Sequence, residues 1–393
     1  LSIRRQRQMC IRDSIVLHTA DLHLGRNRKY DDYLAQQSFM LSGILSQTVQ
    51  VCKDNPSYDV YLCLAGDVFD RNQDTRRNEF VLFLTAFIQP LIQLRQTYAN
   101  LQVFVIDGNH DREPNPIEPS VLSPLEGLFT EHFHFAVVQP KISEQHSMLM
   151  LPYGGYSAKE MRRYIQESRA QLVMAHECLN RMQTDTGWSP PRGQDHYIEI
   201  DDVLPETNVA GVFLGDIHRC QPMDKNRLCW YSGSPVTLDH GHKLPKGILH
   251  HYFTRSDGVL VQAKPPQLIP IDDSRIKIHH QLGKIFDVDK IPWERCFQYF
   301  DCYLDLVVTP EVYAAIDKRI AGFFHSKQVS SSFKENTLPE AVGSEDVDAA
   351  SEDSSDYYNR LISMWADSNL NDLPETLKDE FLDRTQKLFE ARG

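Results

Sequence analysis

The stretch IVLHTADLHLG (Ile15–Gly25) carries an apolar run straight into two metal-binding groups, Asp21 and His23. Four further runs end in the same way: LAGDVFD on Asp67, IDGNHD on Asn109 and His110, VMAHE on His176, and LGDIH on Asp216 and His218. A lone Asp after a strand is more often a turn or a helix cap than a ligand. Five endings with one logic describe one site. In an open α/β sheet, the residues that follow the carboxyl ends of neighbouring strands converge on a shared crevice.

The runs themselves have strand character. Ile15–Leu17, Val60–Leu64, Leu101–Ile106, Leu172–Met174 and Val209–Leu214 are short, apolar and rich in Val, Ile, Phe or Leu. Near-continuous apolar strands are covered on both faces. The segment from about Arg76 to Leu94, with Phe80, Leu84, Phe87 and Leu91 at three- to four-residue spacing, is the clearest covering helix.

With 393 residues, the chain is long enough for two or three domains. No apolar run approaches the roughly 20 residues that span a bilayer, so no membrane partner is expected. The eight cysteines form no C-x-x-C pair and several lie in strand-like runs, which suggests buried thiols in a reducing, cytoplasmic setting. Net charge is −13, but Glu335–Gly393 alone holds 15 acidic and 5 basic residues. Acidity therefore concentrates in the tail, and a metal pair adding up to about +4 at the crevice keeps DNA possible as a substrate.

Carboxylate, imidazole and amide-oxygen ligands without thiolate favour Mn²⁺, Mg²⁺, Fe²⁺ or Zn²⁺. There are too many ligands for one tetrahedral ion, and the number suits two ions that share a bridge and clamp a phosphoryl group. Asp67 is the natural bridge, since each oxygen can bind one ion. Gly66 before it permits a close backbone approach.

The order D-x-H, G-D-x-x-D, G-N-H-D, strand-end His and G-x-x-H resembles the calcineurin-like metallophosphoesterase superfamily. DLHLG at Asp21–Gly25, GNHDR at Gly108–Arg112 and YSGSP at Tyr231–Pro235 look like the SbcD family, bacterial and phage relatives of the meiotic recombination eleven nuclease. The resemblance covers roughly Ile15–His250. It implies an α/β fold, a four-layer α-β-β-α sandwich, followed by a small α+β capping domain and a C-terminal helical tail.

It also implies roles. Asp21, His23, Asp67 and His218 would hold one ion, with Asp67, Asn109, His176 and Asp216 holding the other; Mn²⁺ is the leading candidate for both. His110 would protonate the leaving sugar oxygen, and Asp111 would orient it. The activity implied is that of a DNA nuclease subunit, a 3′ to 5′ double-strand exonuclease and single-strand endonuclease. Implied partners are DNA, a second copy of the chain, and an SMC-like ABC ATPase of the SbcC type. Relatives usually read G-H-x-H in the last motif, where this chain has Gly215-Asp216-Ile217-His218. Asp adds a negative charge and favours harder ions.

Alternatives stay open: a small-molecule phosphodiesterase or phosphoprotein phosphatase, which uses the same dimetal chemistry, or a noncatalytic scaffold with an impaired second site. Substrate-positioning candidates are Arg26, Arg28, Lys29 and Arg112 at the crevice rim, with Ser232, Gly233 and Ser234 of the YSGSP turn. The other histidines, His132, His134, His146, His196, His240, His242, His250 and His251, lack strand-end context and read as surface or core residues.

Organisation follows composition. Residues 1–14 read as a non-native or disordered leader, and 15–265 as the catalytic domain. PPQLIP (Pro265–Pro270) reads as a linker to a capping domain at 271–327. An acidic tether at 328–356 leads to helices in 357–393. Leu361, Trp365, Leu377, Phe381 and Leu388 give that tail apolar faces suited to docking on the ATPase or folding back on the chain itself.

Overall fold

The computed structural model describes residues 12–26, 33–70, 77–112, 119–126, 131–190, 197–204, 208–238, 245–271, 275–280, 301–306, 362–367, 370 and 375–390. The strand runs read from sequence become β1 (Ser14–Thr19), β2 (Asp59–Ala65), β3 (Leu101–Ile106), β7 (Leu172–His176) and β8 (Gly211–Gly215).

With β4 (Phe133–Ala136), β11 (Ile248–Ser256) and β12 (Val259–Ile269), the first three form a sheet ordered β12-β11-β1-β2-β3-β4. β7 and β8 lie in a second six-stranded sheet. Its order is β5-β6-β7-β8-β10-β9, with β5 at Lys141–Ser143, β6 at Met148–Leu151, β9 at Gln221–Pro222 and β10 at Cys229–Tyr231. Both sheets are mixed: β1 pairs parallel with β2 and antiparallel with β11, and β7 pairs parallel with β8 while β5 pairs antiparallel with β6.

Period-two alternation assigns each strand face. Val16, Tyr61, Cys63, Phe104 and Ile106 of the first sheet meet Met148, Met150, Leu172, Met174 and Phe213 of the second in a core between the sheets. Their neighbours Leu17, Leu62, Leu64, Val103 and Val105 face α1 (Tyr33–Asp54), α2 (Arg77–Phe83) and α3 (Gln89–Thr97). On the far side, Val173, Val212 and Leu214 pack on α4 (Ala158–Ser168) and α5 (Ile200–Val203). The architecture is the four-layer α/β sandwich.

The helix predicted from Phe80 spacing is present but interrupted. A π-helical turn, Leu84–Ile88, joins α2 to α3, and Gln89 N–H reaches back to the Leu84 carbonyl. Pro90 lacks the N–H that an α-helical bond to residue 86 needs, so the chain widens one turn instead of breaking.

Three boundaries differ from expectation. PPQLIP is no linker: it completes β12, where Ile269 pairs with Ile248 and Leu268 with Leu249. β12 is an edge strand with a register shift opposite His251, and both conditions tolerate proline. The domain thus runs to Ile271, which is buried in the helix-side core. At the other end Ser14 is a buried residue of β1, and Asp13 accepts hydrogen bonds from Asp59 and Arg255 backbone amides, so the proposed leader stops short of them.

Of the capping region, β13 (Arg275–His280) and β14 (Asp301–Leu306) form a parallel pair. Residues 281–300 and 307–327 of the capping region, the acidic tether, and His240 and His242 lie outside the described residues, as does His196. Among the remaining non-site histidines, His250 and His251 are buried and His134 stacks on Phe104, 4.5 Å between ring centres. No helix among the described residues is long and apolar enough to cross a membrane.

The tail forms helices where the apolar spacing placed them, at α6 (residues 362–367) and α7 (Glu375–Glu390). Their apolar faces are not left outward. Ile362, Trp365, Ala366, Leu370 and Phe381 are buried in the same core as α1 to α3, and α7 meets the turn Ser123–Leu125. Trp365 and Phe381 rings lie 5.8 Å apart. The fold-back alternative therefore describes these residues. Phe381→Ala should lower the unfolding free energy of the whole domain by roughly 3 kcal/mol in a urea titration; a tail merely tethered would leave it unchanged.

Candidate metal centre

The loops beyond the strands are zipped together before any ligand is considered. Backbone amides of Asp21, His23 and Leu24 donate to the carbonyls of Gly66, Asp67 and Val68, at 2.9–3.0 Å, so the first two motifs continue the pairing of β1 and β2. The third motif is fastened by Asp111, a buried carboxylate that accepts from the amides of Val68 (3.2 Å), Phe69 (2.8 Å) and Gly108 (2.8 Å). Asp21, His23, Asp67 and Asp216 all adopt positive φ (55°, 46°, 51° and 95°). Such backbone costs of order 1–3 kcal/mol per residue and persists where the surroundings over-determine it.

This scaffold gathers every ligand named from sequence. Asp67 stands at the centre. Its Oδ2 lies 3.5 Å from His23 Nε2, and its Oδ1 lies 3.4 Å from His176 Nε2. On the first side His23 Nε2 and His218 Nε2 are 3.0 Å apart, and Asp21 joins them in a group of ligand atoms all within 4.8 Å. On the second side His176 Nε2 lies 3.1 Å from Asn109 Oδ1 and 3.7 Å from Asp216 Oδ1. A side chain on Gly108 would collide with Asp67 Oδ1, and one on Gly66 with the His176 ring, so both motif glycines are needed for close approach.

The imidazoles are held in the correct sense for ligation. His176 Nδ1–H donates to the Ala65 carbonyl at 2.7 Å, and His23 Nδ1 bonds Asp70 Oδ1 at 3.0 Å. Each Nε2 is thereby turned toward Asp67. Burial alone would lower both histidines, but the carboxylates around them outweigh it and hold both above their ordinary value. Burial, reinforced by the carboxylates of Asp67 and Asp216, lifts Asp21 to about 7. Asp67 stays well below the usual carboxylate range, because His176 and His23 overcome its burial.

Facing imidazole nitrogens, crowded carboxylates and a buried Asp21 Oδ2 with no hydrogen-bond donor among the described residues fit a divalent cation pair. Asp21, His23, Asp67 and His218 would hold one ion and Asp67, Asn109, His176 and Asp216 the other. Asp216 fits this set: its Oδ1 faces His176, its amide donates to Asp21 Oδ1 at 3.0 Å, and its Oδ2 accepts from the Cys178 thiol.

Asp70 is the residue that the sequence reading left without a role. Its Oδ1 lies 3.0 Å from His23 Nδ1, 3.5 Å from His110 Nδ1 and 3.5 Å from Arg26. These neighbours overcome its burial and keep it ionised, well below the usual range. The orienting carboxylate for His110, expected at Asp111, is therefore Asp70; Asp111 is committed to three backbone amides. The spacing G-D-x-x-D held the signal, since three residues past the bridge returns the chain to the same crevice.

Substrate candidates divide. Arg26 sits beside Asp70, 28% exposed. Arg112 lies 2.9 Å from buried Asp107 and donates to the Tyr153 carbonyl, which ties it into the domain. Arg28 and Lys29 lie outside the described residues. Ser232 and Ser234 are buried, and Gly233, at φ 72°, lies against the backbone of His218 to Cys220. Ser234 N–H donates to the His218 carbonyl at 3.2 Å. The YSGSP turn is thereby packed against the backbone of the last motif.

A cleft of about 810 Å³ borders the second site at Asn109, Cys178 and Asp216 and is walled by Tyr153, Tyr156 and Tyr197.

The family model for calcineurin-like phosphoesterases matches residues 15–220, and the chain belongs to that family. It is also similar to the uncharacterized protein R555 of Acanthamoeba polyphaga mimivirus, 22% identical over 266 residues. That match covers 63% of this chain and 18% of the viral protein.

Two outcomes follow. Metal affinity, measured by calorimetry across buffers, should rise with pH through about 7, because Asp21 must lose its proton on binding and the raised His23 and His176 must be neutral. Asp70→Asn should reduce metal affinity or turnover roughly 10- to 100-fold while leaving the circular dichroism spectrum unchanged.

Proposed function

We propose that this chain is a metal-dependent phosphodiesterase acting on DNA, the nuclease subunit of an SbcCD-like complex. The observation that supports it is the division of Asp67, one oxygen toward each ligand group, with His110 N–H donating to that same carboxylate at 2.9 Å and the His110 ring 28% exposed beside it. When bound, the two ions would supply Lewis acidity toward the phosphoryl oxygens and lower the pKa of water.

The chain's own residues do the rest. His110, steadied through Nδ1 by Asp70, is the group placed to give a proton to the departing sugar oxygen. Arg26, on the other side of Asp70, brings positive charge to the rim where a phosphate would enter. Asp111, Lys246 and the YSGSP turn fix the loops, so the constellation is in place before substrate arrives. Lys246 does so by pairing with Asp185 at 2.6 Å while donating to the His218 carbonyl at 2.5 Å. In this reading an SbcC-type ATPase would meet the tail on its outward face, near Met364, since Trp365 and Phe381 are already buried.

A second reading, a small-molecule phosphodiesterase, is favoured by the cleft beside Asp216, whose wall includes Glu160, Glu177, Glu199 and Asp202. Mn²⁺-dependent turnover of labelled DNA against bis-p-nitrophenyl phosphate separates the two. Cleavage of both supports the nuclease, cleavage of the ester alone supports the second reading, and cleavage of neither leaves a noncatalytic scaffold. Asp216→Ala should abolish turnover of both substrates while sparing the fold; unchanged activity would sink the assignment of Asp216 to the second site.

A further inference from the structure

We infer that Cys178 is a positioning residue of the second ion site: its thiol takes up one oxygen of Asp216, so that the carboxylate offers a single oxygen on the side of His176. The inference depends on the assignment of Asp216 to that site and not on which phosphodiester is cleaved.

The sheet brings the two residues together. His176, the last residue of β7, pairs with Gly215, the last of β8. Cys178 and Asp216, just beyond those ends, therefore emerge side by side. The Cys178 thiol donates to Asp216 Oδ2, and Asp216 Oδ1 lies 3.7 Å from His176 Nε2. Both residues line the cleft that begins at Asn109.

Each side chain stands on a fixed backbone. The buried Tyr231 hydroxyl accepts from Leu179 N–H at 2.9 Å and donates to the Glu177 carbonyl at 2.7 Å, so it clamps the chain on either side of Cys178. The Cys178 carbonyl accepts from Ile198 N–H at 3.4 Å, and Asn180 N–H donates to the Ile198 carbonyl at 2.8 Å. Asp216 is held at φ 95°, with its amide donating to Asp21 Oδ1 at 3.0 Å. What remains to be set is the direction of the Asp216 carboxylate, and the thiol sets it.

The chemistry of the donor set gives the reason. A neutral imidazole at position 216 would present one nitrogen to an ion. A carboxylate presents two oxygens and a negative charge, and it can bind an ion through one oxygen or both. A hydrogen bond to Oδ2 engages the spare oxygen and leaves Oδ1 for the ion. Partners behind a ligand fix its orientation in this way. A thiol does so as a weak, uncharged donor. As a mere filler of space, a half-buried cysteine would make no difference to ion binding.

The test titrates Mn²⁺ into the metal-free chain by calorimetry, unaltered and as Cys178→Ala and Cys178→Ser. One of two binding events should weaken about ten-fold in Cys178→Ala and the other by less than about two-fold, while Cys178→Ser, which keeps a donor, should recover most of the loss. Infrared spectra of the metal-free chain add a second readout. The S–H stretching band that disappears in Cys178→Ser should lie at lower frequency than a free thiol absorbs, because the thiol is hydrogen-bonded. Both affinities within about two-fold of the unaltered chain in Cys178→Ala, equal weakening of both events, or a Ser variant as weak as the Ala variant overturns the inference. If Cys178→Ala fails to fold, the infrared band decides, and a band at the free-thiol frequency overturns it. A single binding event in the unaltered chain removes the second ion, and the role of Cys178 with it.

Discussion

The constraint on which this molecule depends is the crowding of like charges around Asp67. Asp21, Asp67 and Asp216 and three imidazoles converge where water is largely excluded, an arrangement that no local packing preference would produce. It is sustained from outside the crevice. The backbone zipper between the first two motifs, the three amides on Asp111, and the Lys246 pair under His218 each fix one loop by bonds that leave the ligands' side chains uninvolved. Four ligand or bridge residues at positive φ show how tightly those loops are specified. Divalent cations would relieve the charge, and the stability of the domain and the loading of its site are thereby linked.

Much of this was legible in the sequence because each signal is local. Strand runs with a ligand at the carboxyl end give the sheet order its chemistry, and period-two alternation follows without knowledge of what each face meets. What the sequence withheld was the direction of side chains whose type was ambiguous. Asp70 and Asp111 are equal as letters, yet one faces two imidazoles and the other three amides. Ser232 and Ser234 read as substrate-positioning turn residues but are buried. PPQLIP reads as a linker, and only its place on a sheet edge, opposite a register shift, makes it a strand.

Asp216 changes meaning in this setting. In sequence it is a departure from the relatives' histidine; in space its side chain reaches His176 on one oxygen and the Cys178 thiol on the other, while its amide supports Asp21. A carboxylate there is shorter than an imidazole and adds charge to a pocket already rich in it. The adjoining cleft, acidic and lined by tyrosines, shares that electrostatic character. The cleft beside the second half of the site is thus lined by acidic side chains, while Arg26 stands beside Asp70 at the first.

The return of α7 to the turn Ser123–Leu125 places a late segment inside an early core. Chain emerging from a ribosome meets its partners in order, and this contact closes a loop of about 250 residues. Phe381 and Trp365 can therefore join the early core only after about 250 further residues have been made. Until then the helix face that they cover stays open to water and to other chains. Completion of this core waits on that later segment, so a product truncated before it would emerge with that apolar face unsealed.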